Sequence, residues 1–278
     1  LAQFLPSRKS PWFAMSSPCT DAHRLLHLHD GRVLAYREYG RPDGAPVIFY
    51  HGGLNSRLFE PAWDKTQELT AASGVRLIAI DRPGYGRSSF HSGRAYMDNV
   101  VELSALLAGV PGLAGRQVAL LGFSSGGPHA LAAALGLARA GSPAGQVGVV
   151  GLVSTDGPYV DMDPRDVSRF PHGMPITAEE AAAVAKKAEE GLRASYEGMR
   201  SRPDRYKMVT ADLAEATLQG RAGVEQDTLL ERTPWGFRLE DVRCRVLLWQ
   251  GTGDEEVPVA VGRHVAGRLP DCQDAFVD

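Results

Sequence analysis

The sequence predicts an α/β fold, a mostly parallel and doubly wound sheet that carries one helical insertion, and three observations predict it. Five short apolar runs, PVIFYH (46–51), VRLIAI (75–80), QVALLG (117–122), VGVVGLVS (147–154) and RVLLWQG (245–251), lack the alternation of a half-wetted strand. Runs of this kind suit strands buried on both faces of a parallel sheet. Helix-forming stretches separate most of them, at about 57–73, 95–109, 125–140 and 259–268, and that spacing of strand and helix places helices on both faces. The alternation then fails over 157–238, where no strand-like run occurs.

In chain order, residues 1–20 contain Arg8, Lys9, several serines and no acid. They read as a disordered leader, a composition also compatible with an organellar targeting remnant. The chain opens on Leu1, and Met15 is a candidate start. The core begins at 21 and runs to 156. RLLHLHD and RVLAYREYG flank Asp30-Gly31, a dipeptide that tolerates the positive φ of a tight hairpin turn. Within 157–238, PITAEEAAAVAKKAEEGLRASYEGMR starts on a proline, has acids in its first turn and continues in strong helix formers. A second helical stretch, about 204–219, follows Pro203. The core resumes over 239–278, where QDAFV (273–277) begins a last strand, so the final strand and helix are expected to be incomplete.

The 278 residues suit one large domain with an insertion. Net charge is −3, from 30 basic and 33 acidic residues, and no basic run interleaves with aromatics, which argues against a nucleic-acid partner. No apolar stretch approaches the roughly 20 residues that span a bilayer. Cys19, Cys244 and Cys272 are too few to read as a disulfide framework, and Cys244 reads as a small buried apolar residue. The expectation is a cytoplasmic protein acting on a small molecule; the sequence does not set its oligomeric state.

Gly122-Phe123-Ser124-Ser125-Gly126 fits G-x-S-x-G, and the glycine spacing selects Ser124 over Ser125. The motif ends an apolar strand and opens a helix, the context that gives it chemical meaning. A bend that sharp strains the serine backbone. It also lifts the hydroxyl to a helix N-terminus with unpaired N–H groups. The Ser125 N–H can then face an oxyanion. The plainer alternative is a serine N-cap. Tyr50-His51-Gly52-Gly53-Leu54 follows the first apolar strand, and Gly53 is the candidate second donor; its alternative is an ordinary strand-to-helix turn. His51 reads as a brace for this loop. Asp254, in Gln250-Gly251-Thr252-Gly253-Asp254, ends a strand on the same sheet edge as Ser124 and could orient an imidazole. Its alternative is a solvated acidic loop with Glu255 and Glu256, and Asp156 is the other acid at a strand end.

G-F-S-S-G, H-G-G, the run Asp81 to Ser88 (DRPGYGRS) and D-x-x-V-P at Asp254 to Pro258 together resemble the α/β-hydrolase fold superfamily. The likeness is to its cap-bearing serine hydrolases, which include esterases, lactonases and prolyl-iminopeptidase-like enzymes, and it covers about 22–156 and 238–278. It implies Ser124 as nucleophile, Asp254 as acid, Gly53 and Ser125 as oxyanion donors, and 157–238 as a cap, with no metal and no cofactor. The 81–88 run is expected to be scaffold. Tyr159, Phe170, Met174, Trp235 and Phe237 are candidate pocket residues or packing.

The family's order is serine, acid, histidine, which puts the histidine after one more strand beyond Asp254. The chain stops at Asp278, and none of His23, His27, His29, His51, His91, His129, His172 or His264 occupies that place; truncation is the expectation. Without a base the hydroxyl is a poor nucleophile. Two readings follow: a serine hydrolase of small esters, lactones or amides, or a non-catalytic, receptor-like protein of the same fold. C–C bond hydrolysis or acyl transfer would use the same residues.

Overall fold

A computed structural model describes residues 23–59, 66–141, 146–163, 165–166 and 176–278. The predicted leader over 1–20, and His172, Phe170 and Met174, lie outside the described residues. Strands are β1 (Arg24–His27), β2 (Val33–Gly40), β3 (Ala45–Tyr50), β4 (Val75–Ile80), β5 (Val118–Phe123), β6 (Val147–Val153), β7 (Arg245–Gly251) and β8 (Cys272–Val277). They form one sheet in the order β1-β2-β4-β3-β5-β6-β7-β8. β1, β2 and β4 pair antiparallel, and every pairing from β4 through β3 to β8 is parallel. Gly31, at φ 83°, makes the β1–β2 turn that Asp-Gly predicts.

The helices are α1 (Thr66–Ala72), α2 (Asn99–Gly109), α3 (Gly126–Arg139), α4 (Ala178–Glu197), α5 (Pro203–Ala216), α6 (Ala222–Glu231) and α7 (Val259–Arg268). Alternate residues of each strand serve opposite faces. Ile48, Tyr50, Ile78, Leu120 and Val150 pack with α2, α3 and α7. Tyr39, Phe49, Leu77 and Phe123 form the other face. Beside α1 that second face is left as an apolar groove of about 300 Å³, bounded by Val47, Phe49, Leu69, Leu121 and Trp249.

Two helical boundaries differ from the sequence reading. The helix expected from 57 is described from Thr66, and residues 57–59 are turns. The stretch 204–219 ends as helix at Ala216, and a third insertion helix, α6, follows it. α6 has no continuous apolar stripe to betray it: its inward positions mix Val224 and Leu230 with Gly223, Asp227 and Thr228. Gly223 is small because the backbone of Gly84 approaches it; a Cβ there would lie 2.6 Å from the Gly84 carbonyl. The insertion helices share a cluster with Leu54 and Tyr85, which belong to loops after β3 and β4. They therefore lie against the carboxyl end of the sheet.

Candidate active site

Backbone strain concentrates at this carboxyl end. Among the described residues, three that are not glycine have positive φ: Leu54 (56°) after β3, Ser124 (51°) after β5 and Ser154 (45°) after β6. That left-handed region is costly for an L side chain, and residues held there mark sites where geometry is over-determined by the surroundings. At Ser124 the surroundings are visible. Its N–H donates to Val153 O at 3.0 Å, and its carbonyl accepts from Gly127 N at 3.0 Å and Asp156 N at 3.2 Å. The flanking glycines allow the crossing: a Cβ on Gly122 would lie 2.6 Å from Gly127 Cα, and one on Gly126 would lie 2.1 Å from Tyr50 O. α3 thus starts pressed against the end of β3, with Ser125 at its N-cap.

Ser124 opens into a cleft of about 200 Å³, lined also by Gly53, Ser125, Asp156, Tyr159 and Glu231. The loop after β3 forms one wall. A Cβ on Gly52 would lie 3.2 Å from Ser124 Cβ, and one on Gly53 would lie 3.6 Å from Ser125 Oγ. Both expected donors and the expected nucleophile therefore meet at one cleft. α5 ties this loop from outside: Asp212 accepts from Asn55 Nδ2 (3.0 Å), Ser56 N (3.0 Å) and Ser56 Oγ (2.5 Å). Burial outweighs those donors and pushes the Asp212 carboxyl up to about 7.

The acids divide. Asp254 is half-buried; its Oδ1 accepts from Glu256 N (2.9 Å) and Val257 N (3.0 Å), and its Oδ2 from Gln250 Nε2 (3.0 Å). The turn so fixed presents Glu256 and Val257 to the cleft, while Asp254 is not among its lining residues. Asp156 does line it, accepts from Tyr159 Oη at 2.7 Å, and is pushed up to about 6, chiefly by burial. Glu231, from α6, faces the same space and is held well above the carboxylate range by burial and by Asp156. Sequence reasoning named Asp156 from its strand end but had no signal for Glu231, which sits on the helix that the pattern hid.

Among the described residues no histidine lines the cleft. His51 has both ring nitrogens committed. Its Nδ1 lies 2.8 Å from Gly52 O, which can only accept, and its Nε2 lies 3.0 Å from Arg82 N, which can only donate. The ring is thus neutral with its proton on Nδ1, and burial holds it well below its usual range. The brace role expected of it matches these bonds. His129 is buried against Asn99 and, at 3.6 Å, Asp227, and burial lowers it to about 3. His264 is lowered by burial and by Arg268, and its other charged neighbours are Asp161, Asp166 and Glu240, none of which lines the cleft. Trp235 packs against Tyr96 and Phe237 rather than in the cleft, whereas Tyr159 lines it.

A family model described as "Alpha/beta hydrolase family" matches residues 47–274. The chain is 32% identical over 147 residues to a non-heme chloroperoxidase of Burkholderia pyrrocinia, covering 53% of this chain and 49% of that protein. It is 26% identical over 254 residues to a non-heme haloperoxidase of Rhodococcus erythropolis, covering 86% and 85%. The first match thus spans about half the length of that relative. Among solved structures, the esterase RhEst1 from Rhodococcus sp. ECU1013 superposes with a TM-score of 0.63 at 25% identity, covering 92% of this chain and 90% of that one. An esterase from Exiguobacterium antarcticum shares the fold, with a TM-score of 0.67 at 20% identity over 92% and 91%. Among the described residues no helix is long and apolar enough to cross a membrane.

Proposed function

The chain belongs to the α/β-hydrolase family, and on that premise we propose that it hydrolyses a small-molecule ester, lactone or amide through an acyl-enzyme on Ser124. The observation that carries the proposal is the left-handed Ser124, held at φ 51° on a strand-to-helix bend and open to the cleft shared with Gly53 and Ser125. Ser124 Oγ attacks the substrate carbonyl. The carbonyl oxygen becomes an oxyanion and takes the N–H groups of Gly53 and Ser125. The hydroxyl proton passes to a general base, an imidazole by the family's order of serine, acid and histidine, which Asp254 would orient. The tetrahedral species collapses, the leaving group takes that proton, and water attacks the acyl-enzyme to release acid and restore Ser124. In this reading 21–156 and 239–278 form the catalytic core, 157–238 forms a cap that selects the substrate, and no metal or cofactor takes part.

One observation favours the second reading, a non-catalytic binding protein: no described histidine lines the cleft. Fluorophosphonate labelling separates the two. The hydrolase reading expects labelling that Ser124→Ala abolishes and that free imidazole accelerates, because the added base does what no described ring does. Absence of labelling even with imidazole, or labelling that survives Ser124→Ala, overturns it.

A further inference from the structure

We propose that Arg82 is a positioning residue that aims and polarises the Gly53 backbone donor of the oxyanion hole while holding Ser125 by its side chain; the inference rests on the hydrolase reading of Ser124. Arg82 lies in the DRPGYGRS run that the sequence presents as scaffold, and its side chain is fully buried. One nitrogen, Nη2, donates to Gly52 O at 3.0 Å and to Ser125 Oγ at 3.0 Å. A single NH₂ group therefore spans the two walls of the cleft, one from the loop after β3 and one from the start of α3.

The Gly52 carbonyl and the Gly53 N–H belong to the same peptide unit. No described peptide bond is cis, so the two point in opposite directions from one plane. Whatever fixes the carbonyl behind the cleft also fixes the N–H at its front. Three donors converge on that carbonyl: Arg82 Nη2, the His51 Nδ1–H at 2.8 Å and the Asn55 N–H at 3.4 Å. The second is itself set by Arg82, whose backbone N–H holds His51 Nε2 at 3.0 Å. A charged donor on a carbonyl also draws electron density from the amide nitrogen. Hydrogen bonds in such a chain strengthen one another, so the Gly53 N–H becomes a stronger donor toward developing negative charge.

The charge is retained in a dry site because α6 supplies its counter-ion. Asp227 Oδ2 lies 2.6 Å from Arg82 Nη1, and its other oxygen meets Arg94. Burial opposes ionisation of Asp227, but Arg82 and Arg94 outweigh it and hold the carboxyl well below its usual range. The insertion is thereby wired to the oxyanion hole through two links, Asp227–Arg82–Gly52 and Asp212–Ser56.

The test uses two variants and two readouts. Arg82→Lys keeps a charge for Asp227 but cannot span Gly52 O, Ser125 Oγ and Asp227 together. Arg82→Gln combined with Asp227→Asn and Arg94→Gln removes the three buried charges together, because Asp227 is shared by both arginines. Phosphonylation of Ser124, with imidazole present, is resolved into its saturating rate and its half-saturation concentration, each per folded molecule; the Gly53 amide resonance is followed by ¹H–¹⁵N NMR. The expected result is a saturating rate lower by about ten-fold or more, a half-saturation concentration within about two-fold, and an upfield move of the Gly53 amide proton in both variants. A fall in Tm with the rate and the Gly53 resonance unchanged makes Arg82 a structural residue and overturns the inference, leaving the hydrolase reading intact. Failure of Ser124 to label in the parent protein overturns the hydrolase reading, and the Gly53 resonance then decides by itself whether Arg82 sets that amide.

Discussion

Ile48, Ile78 and Val150 in the sheet are as dry as Asp81, Arg82 and Asp227 in the seam beneath α5 and α6, at 0–3% exposure in both sets. The sheet interior is closed by apolar packing, which is non-directional and tolerates small slides. The seam is closed by charge. Asp81 takes the Arg57 guanidinium, the Arg57 N–H (2.8 Å) and the Arg87 N–H (3.0 Å), while Asp227 takes Arg82 and Arg94. Buried ion pairs add little net stability relative to apolar packing, but their directionality fixes one arrangement of the groups that make them. The seam lies directly behind the loops of the cleft, where a misplaced donor would cost rate. The sheet interior supplies no donor to the proposed reaction, and apolar packing suffices there.

The largest expected effect breaks or sustains that comparison. Asp227→Ala leaves the Arg82 and Arg94 guanidinium groups buried without their shared partner, and breaking such a pair from one side costs about 3–5 kcal/mol. Ile78→Val, deleting one methylene from an equally buried sheet position, costs about 1 kcal/mol. Urea unfolding of the two variants should separate them clearly. Equal midpoints would mean that the seam is not held by charge.

A smaller effect sharpens the comparison through pH. Asp212 is pushed by burial from its ordinary 3.8 to about 7. Between those values the folded chain keeps a proton that the unfolded chain has released. Stability from this group is therefore highest at low pH and is lost as pH rises through that window, at up to about 1.4 kcal/mol per pH unit. Asp212→Asn cannot ionise, and it gives up one acceptor facing Asn55 and Ser56. The parent should exceed the variant in stability most at pH 4, with the margin shrinking toward pH 7. A margin that is constant or grows with pH would show that the carboxyl is already ionised at pH 4.

Legibility follows the same division. The strands and the Ser124 bend were readable because each writes itself in local sequence: five apolar runs became β3 to β7, and glycines at 122 and 126 stand where any Cβ would strike backbone. QDAFV likewise became β8. The seam was not readable. Arg82 pairs with Asp227 across 145 positions and Arg57 with Glu215 across 158, and no periodicity links such distant charges. α6 was hidden for a local reason: its buried face interleaves Gly223, Asp227 and Thr228 with Val224 and Leu230, so no continuous apolar stripe marks it. The 81–88 run was assigned to scaffold because nothing in a linear motif shows that one of its side chains ends behind the Gly52 carbonyl.

The smallest effect tests whether the insertion depends on the seam or on its own helices. α4 begins with a reciprocal cap in which Thr177 Oγ1 accepts from Glu180 N at 3.2 Å and Glu180 Oε2 accepts from Thr177 N at 2.7 Å. Both residues are exposed and far in sequence from the buried pairs. Thr177→Ala removes the side-chain acceptor that satisfies one orphan N–H of the first turn. If charge in the seam sets the position of the insertion, the loss stays local. The Glu180 amide then exchanges several-fold faster with solvent, while the urea midpoint and the exchange of amides in α5 and α6 stay at parent values. A midpoint lowered as far as by Asp227→Ala would reverse the order of importance, making helix initiation in α4, rather than the ion pairs beneath α5 and α6, the feature on which the insertion's placement depends.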